Sequence, residues 1–352
     1  ATRECSVPSP LDAPAAFAGA VVALASEEKA SLLVPIAEPA MLALLPARTR
    51  LAPCVIPFPD LETFRALSDK QRLLEEGAKL GIAVPMQVVV QSAATADDLA
   101  AETLGYPLVL KPARSVGESG GVRSKVGVGY ATNAEDLRRK LSQLSPAAFP
   151  LLLQQRIIGP GIGIFVLLWE GKMRACFAHR RRTEKPPSGG VSVYRESIVM
   201  DDDLLARSRA LLDRFGWYGV AMVEYKRHAE TGRPYLMEVN GRFWGSLQLA
   251  IDSGVDFPRV LADIVLKSAE QSTLSYRVGV RSRWWWGQVD HLIARLRLRE
   301  ANRSLPPGTV SAVTALGDLF VAPFRRWDYE EVLRWTDPHP FWRETVQWLH
   351  LR

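Results

Sequence analysis

Glu224, Glu238 and Asn240 are the residues of this chain best suited to hold a metal ion. Glu224 lies near the end of a run read as a strand, Gly219–Lys226, while Glu238 lies near the end of the next, Tyr235–Val239, with Asn240 just after it. Two neighbouring antiparallel strands can set two carboxylates and an amide oxygen around one point. Hard cations such as Mg²⁺, with Mn²⁺ as a substitute, take oxygen ligands and leave other positions to water and phosphate. Surface acids at strand ends are the plain alternative. Against it, MEVNGRFWG flanks its polar residues with apolar ones, and buried charges demand partners.

Lys111 sits in PLVLKP, where a lysine between an apolar strand and a proline must snorkel to solvent or meet an anion. Beside it runs SVGESGG, residues 115–121. Backbone amides at Gly117, Gly120 and Gly121 can approach phosphate oxygens without side-chain obstruction, so lysine and turn together read as a phosphate clamp. GxxxxGK[ST] is absent, which excludes a P-loop. Residues 117–121 also spell GxSxG, but a nucleophilic Ser119 would need a helix directly after it, and the strand-like VGVGY follows instead.

His179 opens HRRR, whose arginines alternate faces if the segment is extended. A guanidinium fork suits a carboxylate or a transferring phosphoryl group. Arg180 is the candidate, although which of Arg180, Arg181 and Arg182 faces inward is open, as is whether His179 is structural or catalytic.

The elements that must position these groups follow from apolar patterning. Residues 15–28 read as a helix, Ala30–Ile36 as a short buried strand and Pro39–Leu45 as a helical piece, a β/α alternation typical of part of a Rossmann-like layer. Its first strand and glycine turn are missing, so the chain is expected to begin inside this domain. Ser68-Asp69 caps a helix that Gly81 ends, with Pro85 beyond. Then come a strand Met86–Gln91, a helix Ala96–Leu104, the strand Pro107–Pro112, a strand Lys125–Tyr130, a helix Asn133–Leu144 and a strand Leu151–Ile158. Ile164–Trp169 and Met173–His179 flank Glu170-Gly171-Lys172 as a hairpin. Residues 180–190 read as a basic loop, 202–215 and 257–267 as helices, and 268–276 as a linker to an Arg- and Trp-rich end.

Composition limits the alternatives. The 352 residues carry a formal charge of +6, with 47% hydrophobic and 23% charged residues, which excludes disorder and predicts two or three domains. Basic and acidic residues are interspersed with no sustained Lys/Arg tract, so nucleic acid is not expected as a partner. The longest uncharged run, Leu80–Ala96, is broken by Gly81, Pro85 and polar residues, so no membrane span is expected. The start lacks the pattern of a secretory signal, which gives a cytoplasmic expectation. Cys5, Cys54 and Cys176 are too scattered for a disulfide scaffold or a zinc site and are all read as buried thiols.

The order Asp69-Lys70, PLVLKP, SVGESGG, LLLQQRIIGPG, VEY and MEVNGRFWG resembles the ATP-grasp superfamily over roughly residues 30–265, most closely its carbamoyl-phosphate-synthase-like branch and carboxylate–amine ligases. The resemblance implies an α/β and α+β chain in which two α+β subdomains hold ATP: a partial Rossmann-like domain at 1–68, an ATP-grasp domain at 69–267 with a lid at about 105–152, and a helical C-terminal segment at 268–352. It implies that Lys70, Lys111 and the loop with Gly117, Ser119, Gly120 and Gly121 contact phosphates, and that Gln154, Gln155, Arg156 and Ile157 meet adenine. It further implies that Glu224, Glu238 and Asn240 bind Mg²⁺, and that Arg242 faces an acyl phosphate. Where family members usually carry a glutamate near 154 or 155 and an acid for the ribose beyond, this chain has Gln154, Gln155, Arg156 and then IIGPGIG. The implied reaction joins a small carboxylate to an amine at the expense of ATP. The alternatives are phosphorylation of a carboxylate or carbamate, and a nucleotide-binding scaffold without catalysis. The Trp284–Trp286 cluster suggests a homodimer surface or a tail packed on its own domain.

Overall fold

The computed structural model describes residues 3–93, 103–119, 122–187, 189–267, 272–297, 311–321 and 325–350. Among them lie three sheets. The first comprises β1 (Gln87–Val90), β2 (Leu108–Pro112), β5 (Gly129–Ala131) and β6 (Leu151–Gln155) in the order β1-β6-β2-β5. β3 (Val116–Ser119) and β4 (Val122–Lys125) form a separate ribbon. The large sheet has the order β11-β10-β7-β8-β9-β12-β13, from β7 (Gly161–Trp169), β8 (Lys172–Lys185), β9 (Val191–Ser197), β10 (Gly219–Arg227), β11 (Pro234–Asn240), β12 (Arg281–Arg283) and β13 (Asp328–Glu330).

The small sheet and the ribbon form a lid with its own core. Leu108, Leu110, Leu151 and Leu153 turn to one face and pack on Leu137 and Leu141 of the helix Ala134–Ser142. That helix starts where Asn133 accepts from the Asp136 amide at 2.8 Å. Strand alternation sends Lys111, Leu152 and Gln154 to the other face, since Lys111 pairs with Leu152 and Val109 with Gln154. The lid sheet therefore extends beyond 105–152 at both ends, taking in β1 and all of β6.

The large sheet is buried on both sides, and β7 is apolar along nearly its whole length for that reason. Its core includes Ile164, Phe165, Val223 and Tyr225 together with Phe17, Met41 and Phe58, so residues before 69 share the core of the sheet. Helix Lys70–Lys79 begins where Asp69 accepts from the Gln71 and Arg72 amides, and Gly81 at φ +72° ends it. In the β7–β8 hairpin, Glu170 and Gly171 both take positive φ, as a two-residue turn of this twist requires.

Several expectations need correction. Ala30–Ile36 is not a strand. Only Leu32 bridges Val55, because prolines at 35 and 39 remove the donors a longer ladder needs. Residues 180–185 are not loop: β8 runs on through Lys185, where pairing to β9 carries the polar sequence in extended form. Lys125–Tyr130 divides into β4 and β5 around Gly127. The C-terminal segment is not purely helical, since β12 and β13 extend the large sheet. Trp284 and Trp286 are half-buried against the last helix, Trp286 stacking on Trp348 at 4.2 Å and Trp284 donating to Glu344 at 2.5 Å, while Trp335 and Trp342 are exposed. Cys54 and Cys176 are buried, but Cys5 is exposed. The expected helix 96–104 lies mostly outside the described residues. Among those described, no helix is long and apolar enough to cross a membrane.

Gly159 joins lid to sheet at φ +149°, and a Cβ there would stand 1.8 Å from the Arg227 carbonyl oxygen. Gly159→Ala should therefore lose about 1–3 kcal/mol of stability, read as a lower urea midpoint with unchanged m-value.

Candidate active site

The site is assembled by register. Glu224 of β10 pairs with Glu238 of β11, and Met222 pairs with Asn240, which puts Glu224, Glu238 and Asn240 on one face. Glu224 also pairs with Gly163 of β7, and Gly163 with His179 of β8, so a single row crosses four strands. Arg181, two residues beyond His179, shares that face. Its Nη2 reaches Glu224 Oε2 at 2.5 Å and its Nη1 reaches Glu184 at 3.3 Å. It can do so because the intervening β7 positions are glycines: a Cβ on Gly161 would lie 2.7 Å from Arg181 Cδ.

Arg180, the expected arginine, is on the opposite face. It pairs in register with Glu196 and binds it at 2.8 Å, and Arg182 joins the same carboxylate. Alternation in a continuous strand decides the matter, and it was hidden by reading 180–190 as loop. His179 is enclosed between aromatic rings, edge-on to Phe165 at 4.7 Å, with neither ring nitrogen bonded. Burial, reinforced by Arg181 and Arg195, holds it neutral far below its ordinary pKa.

Opposing cations come from the lid, the helix Lys70–Lys79 and the turn after β11. A β-bulge between Glu224 and Tyr225 leaves Met237 without a register partner. Lys111 Nζ donates to the Met237 carbonyl at 3.1 Å and lies 3.2 Å from Glu238 Oε2. Lys70 is buried and donates to Ser115 at 2.9 Å, at the start of the glycine ribbon. Arg242 donates to the Asn240 side-chain oxygen at 3.2 Å. Gly241, between them, has no room for a side chain: a Cβ would meet the Trp217 ring at 2.4 Å.

These contacts set the charges. Burial would raise the Glu238 pKa, but Lys111 and Lys70 outweigh it and hold the carboxyl at about 2. For Glu224 burial wins over Arg181, and its pKa is raised. Burial likewise lowers Lys70. The two acids thus sit in a cleft that needs compensating positive charge.

At the hinge, Gln154 is buried on the Lys111 face of the lid and donates to Gln87 at 2.6 Å, leaving its own carbonyl oxygen unbonded. The Gln155 amide is used within the lid, donating to the Met86 carbonyl at 2.9 Å. Arg156 lies over the Tyr130 ring at 5.0 Å, and Ile157 is buried. Gly117 packs so closely on the turn Pro146–Ala148 that a Cβ would meet the Ala147 carbonyl at 2.2 Å. Ser119 lies in β3, and Gly120 and Gly121 fall outside the described residues. Glu38 was missed in the sequence and had no signal there, whereas Ser115 opens the glycine-rich loop singled out from it and Arg181 was one of three arginines left open.

Two cavities lie beside this cluster, of which the narrow one reaches Glu238. It is lined by Glu38, Lys70, Ser115, Glu238, Asn240 and Arg242 among others. It shares Glu38, Phe64 and Ser68 with a larger cavity of about 420 Å³ between the N-terminal helices and the lid.

A glycine ribbon and a lysine-bearing sheet thus face an acid-bearing sheet, the arrangement that the sequence resemblance to ATP-grasp proteins leads one to expect. The comparisons agree: residues 148–286 match the family model for ATP-grasp in the biosynthetic pathway with Ter operon. The chain is 25% identical over 280 residues to the N-terminal section of the carbamoyl phosphate synthase large chain of Methanopyrus kandleri, covering 74% of this chain and 48% of that one. Biotin carboxylase from Campylobacter jejuni in its β-γ-ATP complex superposes with a TM-score of 0.61 at 18% identity, over 75% of this chain and 60% of that one. The L-amino acid ligase of Bacillus licheniformis gives 0.57 at 18%, over 72% and 60%. The fold is that of the ATP-grasp superfamily, and the chain spans about half the length of its curated relative.

Two outcomes test the charge assignment. Arg181→Met leaves Glu224 buried without its cation and should cost about 3 kcal/mol in urea unfolding, with part recovered in the Arg181→Met/Glu224→Gln double variant. Glu238 has a folded-state pKa below its ordinary 4.5, so its stabilisation is complete above that pH and is lost as pH falls towards about 2. Glu238→Gln should remove this acid limb from the stability profile.

Proposed function

We propose that the chain is an ATP- and Mg²⁺-dependent carboxylate–amine ligase acting through an acyl phosphate. The observation that carries this reading is the meeting of Lys111 from the lid with the register-paired Glu224 and Glu238 of the sheet. ATP would lie between those surfaces, with its phosphates on Lys70, Lys111 and the glycine ribbon and its adenine at Gln154–Ile157. Two carboxylates and one amide oxygen on one face suit a hard cation that takes its other ligands from water and phosphate, so Glu224, Glu238 and Asn240 would hold Mg²⁺. Bound there, Mg²⁺ neutralises phosphate charge.

In the reaction a carboxylate oxygen attacks the γ-phosphorus and the bond to ADP breaks. The amine then attacks the acyl carbon, phosphate leaves with the bonding electrons, and the ammonium proton passes to solvent. Lys70, Lys111 and Arg242 position the reactants and offset negative charge, which is the main demand of phosphoryl transfer. Arg242 would face the acyl phosphate, and Arg181 must release Glu224 for the ion to enter. The carbamoyl phosphate synthase relative favours a second reading that uses the same residues, in which the product is the phosphorylated acid or carbamate itself.

ADP release from Mg·ATP with pools of carboxylates and amines tests this. A requirement for both, lost at least ~100-fold in Glu238→Gln, is the expected result. ADP formed with a single small acid selects the second reading. No turnover, with nucleotide binding that survives Glu238→Gln, overturns both and leaves a scaffold.

A further inference from the structure

Arg181 is shared between two carboxylates, and only one of them belongs to the proposed metal site. Its Nη2 binds Glu224, while its Nη1 lies 3.3 Å from Glu184 Oε1 and donates to the Gly190 carbonyl at 3.3 Å. Residues three apart in a regular strand face opposite ways. Here the ladder between β8 and β9 shifts register between Arg181 and Thr183 and again between Thr183 and Glu184, and these irregularities let the two side chains meet.

Glu184 is held from two directions. Its Oε2 accepts from the Gly190 amide at 3.2 Å. Its backbone carbonyl accepts from His291 Nδ1 at 2.6 Å, and the next residue, Lys185, pairs with Asp290 and lies 5.1 Å from the centre of the Trp284 ring. Asp290 and His291 stand on the helix Trp285–Arg297, and Trp348 donates to Asp290 at 3.0 Å, so the C-terminal segment fixes this corner of β8. Arg181 reaches over Gly161, where β7 presents no side chain. The carboxylate of Glu184 is therefore the anchored partner and the guanidinium the movable one.

A cation on Glu224 repels Arg181, whose side chain is only 14% exposed. A buried charge that loses its partner is strongly unfavourable, so another carboxylate has to lie within reach. Glu184 is already in contact with the other arm of the same guanidinium fork, and a small turn of that fork completes the pair. We infer that Glu184 is the residue to which Arg181 turns when the metal occupies Glu224, so that Glu184 sets how tightly the ion is held. The inference rests on the Mg²⁺ assignment of the ligase reading. Glu184 is a positioning residue, acting through Arg181 without touching the ion or the reacting atoms.

Calorimetry of the full chain with a non-hydrolysable ATP analogue, in Mg²⁺ and in EDTA, tests it, because the ratio of the two dissociation constants isolates the contribution of the ion. Glu184→Gln should lower that contribution about five-fold in the native chain and less than about two-fold in Arg181→Met, where no guanidinium has to move. Arg181→Gln gives the same comparison with a neutral side chain should Arg181→Met fail to fold, and Glu184→Asp should recover part of the loss. Of the charges around Lys226 of β10, that of Glu184 is the strongest. An equal loss in both backgrounds would mean that Glu184 acts on the ion directly or through Lys226, and it overturns the inference, as does no loss in the native chain. A native ratio near one removes the Mg²⁺ assignment and the inference with it, whereas a large native ratio without coupling between Glu184 and Arg181 removes the inference alone.

Discussion

Two buried ion pairs, Lys111 with Glu238 and Arg181 with Glu224, are the constraint on which the rest of the site depends. Each joins a carboxylate of the β10–β11 edge to a cation from elsewhere: Lys111 from the lid and Arg181 from β8, across the glycines of β7. Removing such charges from water is costly, and attraction between them offsets that cost only when geometry and further hydrogen bonds are good. The bulge at Met237 provides one such bond by freeing a carbonyl for Lys111. Lys111–Glu238 ties the lid to the sheet and Arg181–Glu224 crosses the sheet itself, and both pairs occupy oxygen atoms a divalent cation would need. On the proposed reading such a site exchanges protein cations for a metal and phosphates, so that closure and ligand binding would draw on the same charges.

The backbone explains why the exchange is feasible. Arg181 lies over Gly161, where β7 presents no side chain. Lys111 is on a lid sheet that has a core of its own around Leu108, Leu153 and Leu141 on one face, while Leu152 and Val116 on the other side join the core of the large sheet. Gly117, pressed against the Ala147 carbonyl, ties the ribbon to the lid so that the two move together.

Much of this was legible in the sequence where one local rule governs. The Asp69 cap, the Glu170-Gly171 turn, the Lys111 strand and the pairing of Glu224 with Glu238 follow from capping, turn chemistry and alternation. What was not legible depended on tertiary pairing. RRRTEKPPSGG is composed like a loop, and only its ladder with β9 makes it a strand, which in turn selects Arg181 and turns Arg180 to Glu196. ASLLVPI is composed like a strand, yet its neighbours offer it one bridge. Glu38 lies about thirty residues before the first recognised motif, and only the packing of the N-terminal helices against the lid brings it to the cleft.

The most direct test is a crystal structure of the chain with Mg²⁺ and a non-hydrolysable ATP analogue. The account predicts nucleotide between lid and sheet, the ion on Glu224, Glu238 and Asn240, Arg181 withdrawn from Glu224, and Lys111 turned to a phosphate oxygen. Nucleotide bound elsewhere, with Arg181–Glu224 and Lys111–Glu238 still paired, would contradict it.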